Sequence, residues 1–311
     1  MIDKSDVRAA AERIAGHVRR TPVLESDAFG VSLWLKLEQT QHGGSFKARG
    51  AFNRLLAAAE RGALPPSGAV TASGGNAGLG VAYAAGTLGV PARVFLPRTA
   101  PAVKVAKLRA LGADVRAVGD KYADAQDAAL KDAADTGALF CHAYDQPEVC
   151  AGQGTIGLEL LEQTGGAFDT ALVVVGGGGL MAGIATALDG AAKVVAVEPE
   201  RCPTLHAALD QGERATVAVS GVAADSLGAS RIGEIAFDVA RRTGVGSVLV
   251  PDEAIVAARR ALWERHRLVA EHGTAAALAA LLTGAYAPAP GERVAVVVCG
   301  ANTDPSDLVR A

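Results

Sequence analysis

From residue 68 onward the chain alternates short runs rich in β-branched residues with helix-patterned stretches: GAVTAS, NAGLGVAYAAGTLGV, ARVFLP, APAVKVAKLRALG, ADVRAVG and YADAQDAALKDAADTG. The alternation resumes with TALVVVGGGGLMAGIATALDG, AKVVAVEPE, GSVLVPDEAIVAARRALWERH and GERVAVVVCGANTD. Strand, helix, strand in succession needs crossover connections between parallel strands, and crossovers lay helices on both faces of a sheet. The uninterrupted apolar runs ALVVV, VVAV and VAVVV suit strands buried on both sides. The expectation is an α/β fold with twisted, mostly parallel sheets. Two sheets, and therefore two three-layer αβα lobes, suit this many strands better than one continuous sheet. The first block ends in CHAYDQPEVCAGQGTIG, residues 141–157, where polar loop residues precede a new helix.

Several classes of function are disfavoured by composition. No apolar run reaches membrane length, and the N-terminal MIDKSDVRAAAERIAGHVRR alternates charge with alanine where a signal peptide would be apolar. A soluble, cytoplasmic protein without a membrane partner is expected. The 30 basic and 33 acidic residues are spread along the chain for a net charge of −3, and aromatics make up only 4%, so no nucleic-acid partner is expected. Cys141, Cys150, Cys202 and Cys299 form no C-x-x-C pair and do not cluster with histidines, which suggests neither a zinc site nor a disulfide framework. No repeat in the 20–50 residue range points to a solenoid.

Ligands of open parallel sheets sit beyond the carboxyl ends of the strands, where helices begin and free N–H groups point outward. Three glycine-centred loops have that position. In TASGGNAG (Thr71 to Gly78), two glycines allow close approach and Asn76 opens a helix, an arrangement suited to a carboxylate. In VVVGGGGLMAG (Val173 to Gly183), four glycines run from a buried strand into a helix. Each costs about 0.5–1 kcal/mol of conformational entropy relative to alanine, and their free amides form a phosphate cradle. In VVVCGANTD, Cys299 ends a strand and Asn302 follows.

A fourth stretch, HGGSFKARGAFN, places Ser45 as a helix N-cap and Lys47 in the first turn, the wrong end of the helix dipole for a cation by roughly 0.3–1 kcal/mol. Lys47 is then either a solvated surface lysine or a neutral amine able to act as nucleophile or base. A rival reading takes Gly177, Gly179 and Ala182 as a G-x-G-x-x-G/A dinucleotide pattern with Glu198 as the ribose-binding acid, which would make the chain an NAD-dependent oxidoreductase. That reading leaves GGSFK, SGGN and Cys299 without work. A catalytically silent binding protein on the same fold is a further alternative.

Taken in order, RTPVLES, LWLKLEQTQHGGSFKARGA, TASGGNAGLGVAYAAGTLGVPARVFLP, APAVKVAKLRALGADV, VVVGGGGLMAGIA, VEPE and CGAN span nearly the whole chain. Together they resemble the serine/threonine dehydratase and serine racemase branch of the fold-type II enzymes that use pyridoxal 5′-phosphate (PLP), the tryptophan synthase β-like group. The resemblance implies that Lys47 is the catalytic residue joined covalently to PLP and that Phe46 packs against the cofactor ring. It further implies that Asn76 bonds the ring hydroxyl, that the amides of Gly176, Gly177, Gly178, Gly179 and Leu180 hold the phosphate, and that Cys299 faces the pyridine nitrogen. The substrate carboxylate is expected on the amides of Ser73, Gly74, Gly75, Asn76 and Ala77. Residues 1–60 and 146–311 would form the large PLP-binding domain, with a small domain, 61–145, inserted in it, and the assembly would be a homodimer.

The activity implied is dehydration and deamination of a β-hydroxy amino acid such as L-threonine or L-serine to a 2-oxo acid and ammonia. Racemases of the group carry a second serine where this chain has Gly74, so elimination is expected over racemisation. Gly43 stands where many relatives have threonine, and Glu271–His272 where they have Glu-Pro, leaving 3-hydroxyaspartate and phenylserine open as substrates. Thr204 replaces the second acid of the cation site found in some relatives, so no metal is expected. A β-replacement enzyme of the cysteine synthase kind is the near alternative.

Overall fold

The computed structural model describes residues 1–309; residues 310 and 311, the end of the segment 146–311, lie outside the described residues. The strands are β1 (Val23–Ser26), β2 (Leu33–Lys36), β3 (Ala69–Ala72), β4 (Ala92–Leu96), β5 (Asp114–Ala117), β6 (Leu139–Phe140), β7 (Thr170–Val174), β8 (Lys193–Pro199), β9 (Gly246–Val250) and β10 (Val294–Val297). They form a six-stranded sheet in the order β1-β2-β10-β7-β8-β9 and a four-stranded sheet in the order β5-β4-β3-β6. Among these strands only the β1–β2 pair is antiparallel. The alternation of strand and helix patterns in the sequence therefore becomes an α/β fold with two sheets.

β7 and β10 are buried along their whole length, and β8 at every residue but Lys193, as their unbroken apolar runs require. Helix Gly179–Leu188 is buried at all ten positions and lies between the large sheet and further helices. A helix that is apolar all round needs such cover. It packs on helix Pro147–Thr164, which packs in turn on helix Lys47–Glu60. Glycines line these contacts. A Cβ on Gly152 would stand 2.6 Å from the Arg49 carbonyl oxygen, one on Gly183 2.2 Å from that of Cys150, and one on Gly157 2.8 Å from the Ala187 methyl. The three helices approach as closely as backbones allow.

A buried ionic network fixes the same region. Arg49, with no exposed surface, grips Glu38 through Nε and Nη2, both at 2.8 Å, and Glu159 through Nη1 at 2.6 Å. Lys36, equally buried, donates to Glu159, to the Thr21 carbonyl and to Gln163. Two cations and two carboxylates thus neutralise one another two residues beyond Lys47, where an isolated charge would be severely penalised.

Candidate active site

Lys47 is the first residue of its helix, and the expected cap is displaced by one position. Phe46, not Ser45, occupies the cap site, and it makes no side-chain capping bond. Ser45 is instead extended and bridges to Gly300, so a tertiary contact overrides its local preference. The Phe46 N–H donates to the Cys299 carbonyl at 3.0 Å, and the Ala301 N–H to the Gly44 carbonyl at 3.0 Å. These bonds join the lysine loop to the segment after β10.

The side chain of Lys47 lies over the Phe46 ring, 4.9 Å from its centroid, and its Nζ donates to the Ala143 carbonyl at 2.6 Å. Burial pushes the ammonium down to about 8, against a smaller opposing pull from Cys299, Cys150 and Glu271. This desolvation favours the second reading of the lysine, an amine that gives up its proton more readily than a solvated surface charge.

Asn76 begins helix Asn76–Thr87 directly after the SGGN turn. Its Nδ2 faces both carboxylate oxygens of Glu271, and its Oδ1 accepts from Asn302 Nδ2 at 2.7 Å. Asn302 reaches further, donating Nδ2 to the Gly43 carbonyl at 2.6 Å and its own N–H to Glu271 at 2.8 Å. The lysine loop, the SGGN loop and the CGAN loop are thus tied directly to one another. Gly74, Gly75, Asn76, Lys104, Glu271 and Asn302 line one cleft, with Asp225 at its mouth in an ion pair with Lys104. Ser73 Oγ accepts from the Gly75 N–H at 3.3 Å, closing the turn, and Ala77 follows within the first turn of the helix.

The four-glycine loop connects β7 to helix Gly179–Leu188, and each glycine has a distinct steric reason. A Cβ on Gly176 would meet the Leu227 backbone at 2.9 Å, and one on Gly177 the Tyr144 ring at 2.3 Å. On Gly179 it would meet the Tyr144 carbonyl at 2.6 Å, and Gly178 has φ +85°, which a side chain disfavours. Gly179, Leu180 and the residues behind them present first-turn N–H groups that have no acceptor within the helix. Thr204 Oγ1 braces the loop from below, donating to the Gly176 carbonyl at 2.5 Å. That bond, with Oγ1 also standing 3.3 Å from a Glu198 carboxylate oxygen, is the work of the threonine noted above.

Cys299 keeps its thiol protonated. Burial pushes it up to about 12, and its Sγ lies 3.1 Å from Thr274 Oγ1. It offers a neutral partner and not a thiolate.

The dinucleotide reading loses its acid. Glu198 is fully buried and faces no cleft: its carboxylate accepts from the Leu205 and His206 N–H groups at 2.7 and 2.8 Å and from Ser247 Oγ at 2.6 Å. With those lone pairs spent on capping a helix, the ribose-binding acid of the dinucleotide reading is lost. His272 neighbours Arg259, Asp307 and Asp252, not the cleft-lining groups. Glu271, noted in the sequence only as half of an unusual pair, is the member of Glu271–His272 that lines the cleft, bonded to Asn76 and Asn302. The Ala143 carbonyl, Tyr144, Thr274 and Gln153 escaped the sequence reading. Of these only Gln153 left a signal, a glutamine between two glycines in an otherwise small and apolar helix segment, AGQGTIG.

The model of the pyridoxal-phosphate dependent enzyme family matches residues 14–300. The chain is 36% identical to an L-threonine ammonia-lyase of Thermotoga maritima over 98% of its own length and 76% of that protein's. It is 36% identical to a phenylserine dehydratase of Ralstonia pickettii over 99% and 95% of the two chains. Among solved structures, maize serine racemase superposes with a TM-score of 0.92 at 32% identity, covering 99% of this chain and 95% of that one.

Proposed function

The chain belongs to the pyridoxal-phosphate-dependent enzymes, and from that premise we propose how its own residues carry out the reaction. It is an ammonia-lyase that removes the β-hydroxyl of an amino acid such as L-threonine or L-serine and yields a 2-oxo acid and ammonia. The cofactor is PLP, and the residues fit it: a cradle from which side chains are excluded at Gly176 to Gly179, a buried amine at Lys47, and a neutral thiol at Cys299. When bound, PLP withdraws electrons from Cα of the linked amino acid and makes its proton acidic.

The observation that carries the assignment is the Lys47 amine, brought down to about 8 at the point where three loops are bonded together. Lys47 would hold the cofactor and, with its Nζ free, would take the Cα proton of the substrate. With the Cα proton removed, the Cβ–O bond would break, the departing hydroxyl taking up one proton to leave as water, and the released enamine would hydrolyse to the 2-oxo acid and ammonia. The amides of Ser73 to Ala77, at the N-terminus of helix Asn76–Thr87, receive the substrate carboxylate. Gly176 to Leu180 would hold the cofactor phosphate, Phe46 would support its ring, and Asn76 would donate to its hydroxyl. Cys299 leaves the pyridine nitrogen without an acidic partner, which favours prompt loss of the β-substituent over long storage of charge in the ring. Gly74 has no hydroxyl to return a proton to the opposite face of Cα, so elimination prevails over racemisation.

We assign residues 61–145, which hold the four-stranded sheet, to a small domain inserted in a larger one formed by 1–60 and 146–311. The assembly is a homodimer in the cytoplasm. Among the described residues no helix is long and apolar enough to cross a membrane.

The decisive experiment is a visible absorption spectrum of the purified protein before and after L-serine, L-threonine, 3-hydroxyaspartate or phenylserine, followed by borohydride reduction and peptide mapping. A long-wavelength band that shifts with substrate and a pyridoxyl adduct on Lys47 are expected. The amino acid that gives a 2-oxo acid names the substrate, and an adduct on any other residue would overturn the role of Lys47.

A further inference from the structure

Helix Pro147–Thr164 carries a residue that neither the fold nor the elimination accounts for. Gln153 is 0% exposed, and among the described residues neither its Oε1 nor its Nε2 has a hydrogen-bond partner. Its amide is wedged between two parts of the site. Nε2 lies 3.2 Å from where a side chain on Gly50 would begin, on the Lys47 helix, and Oε1 lies 3.1 Å from the same point on Gly179, at the end of the glycine loop. Gln153 also lines a small cavity together with Lys47, Cys141, His142 and Ala143.

An amide buried without partners forfeits its hydration on both atoms, whereas an apolar side chain of equal length would pack there without that loss. A retained glutamine therefore points to a partner that is not a protein group. The cavity, partly open and with room for about one water, brings several polar residues together. Its lining residues include Gln153 and Lys47, and the Ala143 carbonyl is already bonded to Nζ at 2.6 Å. The His142 ring accepts the Tyr144 and Asp145 N–H groups on Nδ1, at 3.2 and 2.9 Å, so it is neutral and places no charge in the cavity.

We propose that this cavity is a one-water site built on Gln153, and that the water is a second hydrogen-bond partner of the Lys47 amine. Gln153 is then a positioning residue: through the water it steadies Nζ and sets how readily the amine holds a proton. The other titratable groups acting on Lys47 are Cys299 behind β10, Cys150 on the helix of Gln153, Glu271 ahead of helix His272–Thr283, and His142. All of them stay in place when Gln153 alone is changed. The functional meaning rests on Lys47 being the reactive amine, but the water site does not.

Gln153→Met keeps the length and removes the amide, and Gln153→Glu places a carboxylate there. The readout is the pH midpoint for acylation of Lys47 in the full-length, cofactor-stripped protein, followed by peptide mass spectrometry, alongside a high-resolution crystal structure of the holoenzyme. Gln153→Met is expected to lower the midpoint by about one unit, a tenfold loss of proton affinity, and Gln153→Glu to raise it by at least as much. Density for a water within hydrogen-bond distance of both Gln153 and Lys47 is expected. Unchanged midpoints in both variants, or a Gln153 amide paired directly to protein, would overturn the proposal. Should Gln153→Met not fold, Gln153→Glu and the crystal structure still decide it. A water at the site without a borohydride adduct on Lys47 would sink the role of the lysine and leave the site standing.

Discussion

The side-chain nitrogen of Asn76 lies 2.9 and 3.0 Å from the two carboxylate oxygens of Glu271, a residue 195 positions away in sequence. Since Asn76 Oδ1 accepts from Asn302, the Asn76 amide is oriented with Nδ2 toward the Glu271 carboxylate, and one hydrogen given to Glu271 leaves the other for a ligand oxygen. Glu271→Gln sets an amide donor against that nitrogen. We expect PLP affinity and kcat each to fall about tenfold or more, equivalent to ~1.4 kcal/mol or more, with the fold retained. Cofactor titration by absorbance and steady-state kinetics check this, and unchanged affinity would show that Asn76 is not oriented by Glu271.

Lys47 gives a stability prediction with a definite sign. Its folded-state pKa, about 8, lies below the ordinary value of 10.5, so between these pH values the unfolded chain binds more protons than the folded one. Stability of the cofactor-free protein should therefore rise with pH across that window, and the charged lysine is a burden below it. Lys47→Met should abolish turnover yet stabilise the cofactor-free protein at pH 7, by up to about 3 kcal/mol if the whole shift is recovered. Urea denaturation at pH 7 and pH 10 tests both halves: the variant's advantage should shrink at the higher pH.

Gly74 has room for a side chain. The nearest atoms to a Cβ there are two carbons of Leu96 at 3.7 Å, an ordinary contact. Gly74→Ser should fold normally, keep elimination, and add epimerisation of serine visible by chiral chromatography. If no D-serine forms from L-serine, a hydroxyl at this position is insufficient to reprotonate Cα.

Arg49 holds two carboxylates in the interior, and Arg49→Leu would leave Glu38 and Glu159 facing one another with only Lys36 between them. Loss of about 3–5 kcal/mol is expected. A thermal melt should show it as a large drop in Tm, and because Arg49 follows Lys47 by two residues, PLP binding should weaken as well.

The sheets were legible because a strand buried on both faces writes itself as an unbroken β-branched run, as in TALVV and VAVV. The glycine loop was legible because four costly residues in succession need a reason, which turns out to be Tyr144, Leu227 and one left-handed turn. Glu271 was legible only as an oddity. A carboxylate and an amide 195 residues apart share no local pattern, and only the approach of the helix starts at Asn76 and His272 makes them neighbours. Ser45 misled for the complementary reason: it has the chemistry of a cap, but its backbone is claimed by Gly300. Gln153 looks like any polar residue in sequence until burial removes its solvent.

The close glycine contacts among the helices beginning at Lys47, Pro147 and Gly179 also limit where the protein can change. Behind the reactive amine, at Gly50, Gly152, Gly154 and Gly183, even one added carbon would meet backbone atoms at 2.2–2.8 Å. The opposite wall includes Gly74 and the Lys104–Asp225 pair, and an addition at Gly74 finds neighbours only at 3.7 Å. Drift toward new substrates has one open direction: the catalytic half is frozen by its own tightness, and variation is channelled into the rim.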